Sequence, residues 1–394
     1  MKDWPTRLLG DLCEVVIGRT PRRDQPRFWG GENIWVTIGE LDGGVITSSK
    51  EHISDEAVRE CMPEPVPKGT LLFSFKLSIG KMAVSGCPLY TNEAIAALII
   101  RDHHELSQRF LRYALMAESR ESSANTAVLG KVLNKEKVKQ LSILVPPLSE
   151  QERIVKLLDE ADELRKLRAR ANRRTAELVP AIFHEMFGDP ITNSKKWPMN
   201  KLADVCDGKG GIKAGPFGSS LKKECYTSQG PRVYGQEQVI SGNFEVGDYH
   251  ISESKYAEMS AYVVAPGDLL ISLVGTIGKV TVVPDGIEPG IINPRLLRIR
   301  PRKDVIHLCY LANVLSHASV NELLSANAGG STMSVLNAGL LKRLSVPVPA
   351  LLLQKQFSDR VAEIRTMEAD QAASRLRLEA LFQSILHSAF NGEL

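Results

Sequence analysis

The stretch QERIVKLLDEADELRKLRARANRRTAELVPAIFHEMF, Gln151 to Phe187, decides how the chain is built. It reads as one long helix. Apolar or small residues fall at Ile154, Leu157, Ala161, Leu164, Ala171, Thr175, Leu178 and Ile182, in alternating steps of three and four, and only Arg168 breaks the series with a charge. A stripe that narrow is made to dock on another helix rather than to cover a globular core. Ser149 with Glu152 predicts a capping box at the start. Gly188 and Pro190 predict the stop. Pro180 removes one backbone bond and crowds the preceding turn, so a kink is expected near Val179, with a break into two helices as the alternative.

The helix returns at the C-terminus. Leu141-Ser142-Ile143-x-Val145-Pro146 recurs as Leu344-Ser345-Val346-x-Val348-Pro349, and the same offset carries Gln151 to Gln354, Ile154 to Phe357, Leu178 to Leu381 and Phe187 to Phe390. Phe357, Ile364, Met367, Leu378, Leu381 and Ile385 form the matching stripe. The preceding segments repeat as well. Trp4-Pro5 returns as Trp197-Pro198, and Gly69-x-Leu71-Leu72-x-Ser74 with Ile79-Gly80-Lys81 returns as Gly267-x-Leu269-Leu270-x-Ser272 with Ile277-Gly278-Lys279. The offsets drift between these matches, as loop insertions would make them. The chain is a tandem repeat, each copy a globular domain followed by a long helix.

Each globular part reads as mixed α and β. Ile34–Ile38, Leu71–Phe75 and Ala94–Ile100 are expected strands, as are Leu269–Leu273, Val280–Val283 and Leu296–Ile299. Leu106–Ala117 is an expected helix, and Val305–Leu324 one or two helices. The expected fold class is α+β: two mixed α/β domains, 1–148 and 189–351, separated by a pair of long antiparallel helices, 149–188 and 352–394, packed as a coiled coil in a pseudo-two-fold repeat.

Composition excludes little. Over 394 residues, 49 basic and 46 acidic side chains leave a net charge of +3, so any nucleic-acid surface must be a local patch. Six cysteines stand singly, which suits the reduced thiols of a cytoplasm. Apolar runs are far shorter than the roughly 20 residues of a membrane span.

Catalytic patterns fail on inspection. Gly275-Thr276-Ile277-Gly278-Lys279 lacks the first glycine of a phosphate loop and its magnesium-binding hydroxyl, so a tight turn between strands fits better. Asn293-Pro294-Arg295 begins like the Asn-Pro-Pro-aromatic motif of adenine methyltransferases but lacks its second proline and its aromatic. His103-His104-Glu105 lacks the histidine pair of a zinc helix. No metal, cofactor or catalytic residue is therefore assigned to this chain.

Polar and basic loops stand out instead. Arg19, Thr20, Arg22 and Arg23 precede Arg27-Phe28-Trp29 in the first copy, while Lys213, Ser219, Ser220, Lys222 and Lys223 gather around a Gly-Pro-Phe-Gly segment in the second. Guanidinium groups fork onto guanine or phosphate, and hydroxyls and amides position phosphates. The plain alternative is a charged surface loop.

These residues, taken in order, resemble the specificity subunit of a Type I restriction–modification system across nearly the full chain. The first copy carries Gly18-x-Thr20-Pro21, Phe28-Trp29-Gly30-Gly31, Ile34-Trp35-Val36-Thr37, Gly69–Ser74, Ser78-Ile79-Gly80-Lys81 and Tyr90-Thr91-Asn92-Glu93. The second carries Gly215-Pro216-Phe217-Gly218-Ser219, Tyr234-Gly235-Gln236-Glu237, Pro266-Gly267-Asp268-Leu269 and Gly275–Lys279. Pro146-Pro147-Leu148-x-Glu150-Gln151 matches the family's approach to its spacer helix, whereas Ala350-Leu351-Leu352-Leu353 departs from it. The resemblance implies two target-recognition domains, each reading one half of a split sequence in double-stranded DNA. It implies a non-catalytic, cytoplasmic subunit that binds two methyltransferase subunits and is joined by restriction/translocase subunits, with S-adenosylmethionine, ATP and magnesium held by those partners. It extends the candidate DNA-binding loops to Lys76, Lys81, Gln236, Thr276, Lys279 and Arg295. It also assigns Ile154, Leu157, Leu164, Leu178, Ile182, Phe357, Ile364, Met367, Leu381 and Ile385 to the spacer and docking helices. A self-contained DNA nuclease or methyltransferase is the alternative, tested by whether the chain alone binds S-adenosylmethionine or cuts DNA.

Overall fold

The structure is a computed structural model that describes residues 4–124, 134–216, 220–274, 278–326, 338–391 and 393–394. The chain divides into two compact units, Met1–Ala169 with Ala373–Leu394, and Arg170–Ala372. Both long helices are shared between the units, because the C-terminal part of the second helix packs into the first unit.

The first unit is built on a five-stranded sheet in the order Cys13–Ile17, Ile95–Ile100, Leu71–Ser74, Met82–Ser85 and Val45–Ile46, antiparallel except at its last pair. The two central strands are almost wholly buried, which suits their unbroken apolar runs. Beside this sheet, Trp29–Val36 pairs antiparallel with Glu51–Ile53 and parallel with Tyr90–Thr91. Thr6–Leu8 pairs with Ser142–Leu144.

The second unit repeats the plan without a described counterpart of the edge strand Val45–Ile46. Its four-stranded sheet runs Ile212–Ala214, Leu296–Ile299, Leu269–Ser272, Val280–Val282. Tyr226–Tyr234 pairs antiparallel with His250–Ile251 and parallel with Gly290–Ile292, and Met199–Lys201 pairs with Ser345–Pro347. The expected strands all form with ends shifted by at most a residue, except that the strand expected from Ile34 to Ile38 begins five residues earlier, at Trp29, and ends at Val36. The segment expected to hold one or two helices holds two, Leu308–Ser316 and Ala318–Ala326, parted where His317 adopts an extended backbone.

The first long helix runs Leu148–Ala176 and continues as Leu178–Phe187 after a single residue, Glu177. Glu177 keeps right-handed helical dihedrals (φ −82, ψ −14). The interruption is thus the expected local consequence of Pro180, placed where the missing proline donor leaves a carbonyl unused. Gly188 closes the helix with φ 74. The expected capping box does not form. The helix starts one residue before Ser149, and the Pro147 carbonyl accepts from the amides of Glu150 and Gln151. The second long helix is continuous from Leu351 to Phe390.

The buried track along these helices also differs from the expected stripe. Ile154, Ala161, Thr175, Phe357 and Ile364 are buried, and Leu157, Ile182 and Ile385 half-buried, but Leu164, Leu178, Met367 and Leu381 are exposed. Between Leu158 and Thr175 only Ala161 is buried, and the half-buried positions include Arg165, Arg168 and Asn172 beside Ala171 of the expected stripe, polar members that apolarity could not reveal. Arg165 reaches Glu379 at 2.7 Å and covers the Phe382 ring, 4.2 Å from its centroid. In the second unit the segments run antiparallel, since Gln371 donates to the Thr175 hydroxyl (2.8 Å) while Phe357 meets Phe183 and Phe187 edge-on. Their rings and Tyr310 centre the core of that unit.

Candidate nucleic-acid interface

Gly18 opens the arginine loop of the first unit. Its amide donates to the Ile95 carbonyl, and the Arg19 amide to that of Thr91. A Cβ on Gly18 would lie 2.0 Å from the Thr91 oxygen, so the loop can cross the strand end this closely only at a glycine. The Trp35 indole donates to the Arg19 carbonyl (2.9 Å) and fixes the backbone from below.

Carboxylates then orient the basic side chains. Arg23 forks onto Glu51 and stacks over Trp29, 3.9 Å from the ring centroid, and Trp29 meets Trp35 edge-on at 5.0 Å. This pairing holds the Glu51 carboxyl below its ordinary value and raises the Arg23 guanidinium above its own. The Thr20 hydroxyl donates to Glu93, which that bond holds below the usual glutamate value against the opposing effect of burial; the charges of Lys76 and Arg23 help. Arg22 folds back onto Asp24, and Arg27 pairs with Glu56 and Glu60. Arg19 is exposed and makes no ion pair among the described residues. The loop is therefore not a field of loose positive charge. It is a stacked, oriented platform with Arg19 left to meet a new acceptor.

Lys76 and Lys81 flank the turn between Leu71–Ser74 and Met82–Ser85. Lys76 reaches towards the Phe75 ring, and the Phe75 amide donates to the Ala94 carbonyl (3.1 Å), which brings this turn to the segment that carries Glu93. Lys81 is exposed.

The second unit rebuilds the same scaffold with other side chains. The Gly215 amide donates to the Leu296 carbonyl (2.9 Å), and a Cβ there would lie 1.8 Å from the Asn293 oxygen. The Asn293 side chain accepts from the Arg295 amide (2.8 Å), as Asn92 accepts from Ala94 (3.1 Å). Asn293-Pro294-Arg295 is therefore a side-chain-capped turn matched to Asn92-Glu93-Ala94, which explains its partial likeness to a methyltransferase motif. Gln236 donates to the Val274 carbonyl, and the amides of Leu273 and Ser272 donate to the carbonyls of Arg295 and Lys279, so Gln236, Arg295 and Lys279 meet at one end of the sheet. Lys213 sits 4.9 Å over the Tyr262 ring. Ser220, Lys222 and Lys223 are exposed on the approach to Tyr226–Tyr234, and no described hydrogen bond ties their side chains to that group. Ser219 and Thr276 lie outside the described residues.

The residues that sequence reading missed are acidic. Glu51 and Glu93 orient the loop, yet they lie 28 and 73 positions from their partners, beyond any local spacing rule. The two aromatic ladders, Trp29 with Trp35 and Tyr226 with Tyr249, were visible only as single aromatics.

On the helices, Gln151 and Gln354 are wholly buried and act alike. Gln151 donates to the carbonyls of Pro146 and Glu105 and accepts from the Ser107 amide; Gln354 donates to Pro349 and accepts from the His307 amide. Each ties the start of a long helix to the loop before a domain helix. In the first unit, exposed Leu376 lines a cleft of about 230 Å³ together with Arg165, Arg168, Arg375 and Glu379, and Leu164 and Leu167 are exposed as well. Among the described residues, no helix is long and apolar enough to cross a membrane.

Comparison with known proteins finds one family match in each half of the chain. A family model described as the Type I restriction modification DNA specificity domain matches residues 1–174 and again 194–367. The chain is 26% identical over 234 residues to the type I restriction enzyme MjaIX specificity subunit of Methanocaldococcus jannaschii, a match spanning 54% of each chain, about half of that relative's length. It is 23% identical to the type I restriction enzyme EcoBI specificity subunit of Escherichia coli over 84% of this chain and 76% of that one. A chain from a structure on the complex assembly and conformational transition of the type I R-M system superposes with a TM-score of 0.68 at 19% identity, covering 100% of this chain and 99% of the other. At that identity the likeness concerns the fold.

Proposed function

We infer the activity from one premise: the chain belongs to the Type I restriction modification DNA specificity family. It is a DNA-recognition subunit. We propose that each globular unit reads one half of a bipartite target and that the sequence between the halves is left unread. The observation that carries this is the pair of matched turns, Gly18 against Thr91 and Gly215 against Asn293, with different side chains mounted on them. One scaffold used twice, with Arg and Trp in the first unit and with Lys, Gln and Tyr in the second, is suited to two different short sequences. Arg19, Thr20, Arg23, Lys76 and Lys81 serve the first half-site, and Lys213, Gln236, Lys279 and Arg295 the second.

The chain itself contributes no catalytic group in this reading. Two methyltransferase subunits dock on the long helices, where exposed Leu376 lies in the arginine-lined cleft. A desolvated apolar anchor beside a charged rim is the usual make-up of a binding hot spot. S-adenosylmethionine, ATP and magnesium belong to the methyltransferase and restriction/translocase partners.

Footprinting of the chain in complex with its methyltransferase partner tests the proposal. Two short protected sequences flanking an indifferent spacer are expected. A single contiguous recognised site would overturn it.

A further inference from the structure

The turn Lys76–Gly80 holds a leucine where neither folding nor solvation favours one. Leu77 has φ 59, in the left-handed region, and its side chain is 90% exposed. A single exposed leucine is ordinary. A single exposed leucine on a left-handed backbone is not, because it gains no burial and crowds its own carbonyl.

The second copy offers a comparison in sequence. In both units the serine that ends the inner strand exchanges backbone bonds across the turn: Ser74 with Lys81 and Gly80, and Ser272 with Lys279 and Gly278. Gly80 and Gly278 both have positive φ. With these residues aligned, Leu77 falls on Gly275, the residue type that a left-handed position favours. Gly275 itself lies outside the described residues, so the pairing rests on sequence alignment. The first unit therefore carries a side chain that the turn does not need.

The turn also presents that side chain firmly. The Ser74 hydroxyl donates to the Ser78 carbonyl and accepts from the Lys81 amide (2.9 Å). Lys76 precedes Leu77 and Lys81 closes the turn, while the Phe75 amide donates to the Ala94 carbonyl (3.1 Å), next to the Glu93 that accepts from Thr20. Positive charge on both sides suits a phosphate backbone, and the apolar group that the major groove offers between phosphates is the thymine methyl.

We propose that Leu77 is a specificity-determining residue of the first unit that packs on a thymine methyl within its half-site. The proposal rests on the DNA-reading assignment above. It also predicts an asymmetry, since the second unit has glycine at this position and must read its half-site without such a contact.

The test uses the full chain with its methyltransferase subunit and duplexes in which each thymine of the first half-site is replaced in turn by deoxyuridine. One replacement should weaken binding by the wild-type complex about fourfold, the effect of one buried methyl group. Leu77→Gly should lose the same factor on the thymine duplex and show no further loss on the deoxyuridine duplex, with thermal stability unchanged or raised. Equal binding of all duplexes by both proteins would overturn the proposal, as would loss of methyltransferase association in place of DNA affinity. A wild-type complex that prefers no duplex over random DNA would overturn the DNA-reading assignment, and this proposal with it.

Discussion

Gly215 has no room for a side chain, because a Cβ there would lie 1.8 Å from the Asn293 oxygen, a backbone atom with nowhere to yield. Gly215→Ala should cost about 1–3 kcal/mol, the range for forcing an extra carbon into packed surroundings, measured by urea denaturation; an unchanged midpoint would contradict the close approach. Glu51 gives a prediction in pH. Its folded value is depressed through its bond to Arg23, so the stability it adds is present above the ordinary glutamate value near 4.5 and is lost as pH falls through the depressed one. The melting-temperature gap between wild type and Glu51→Gln should therefore close on acidification below that value. A gap that stays constant would show that the pair does not act through ionisation. The glycines and arginines of these loops were legible in the sequence because residue type alone carries their meaning. Their carboxylate partners were not, because only the fold brings Glu51 to Arg23 and Glu93 to Thr20.

At the level of elements, the long helices were the most legible part of the chain. Their period, their length, the stop at Gly188 and the disturbance at Pro180 all follow from local chemistry. Which face turns inward did not follow, since Arg165, Arg168 and Asn172 are half-buried while Leu164 and Leu178 are exposed. Periodicity reports a stripe but cannot tell a packing stripe from a docking stripe. The repeat was a better guide, because it paired Gln151 with Gln354, and both turn out to be buried clamps. Gln151→Ala leaves the Ser107 amide and two carbonyls without their partner and should cost about 2 kcal/mol. Gln354→Ala should cost as much in the second unit. Denaturation curves showing either variant as stable as wild type would mean that water replaces the amide without loss.

Across the whole molecule, the duplication was legible because matched segments recur in the same order, and the structure repeats it from sheet to sheet. The helices as a spacing device remain our proposal, and it predicts a shift. Inserting one heptad into each long helix adds about 10 Å of rise, or roughly three base pairs, and the preferred distance between half-sites should lengthen accordingly. Unchanged spacing would remove the ruler and leave DNA reading intact. Mapping of methylated adenines across the genome of a host that carries this chain with its methyltransferase partner bears most directly on bipartite recognition. The proposed function predicts one motif made of two specific halves with an unread spacer of constant length. A contiguous motif, or methylation that does not change when this chain is exchanged, would contradict it.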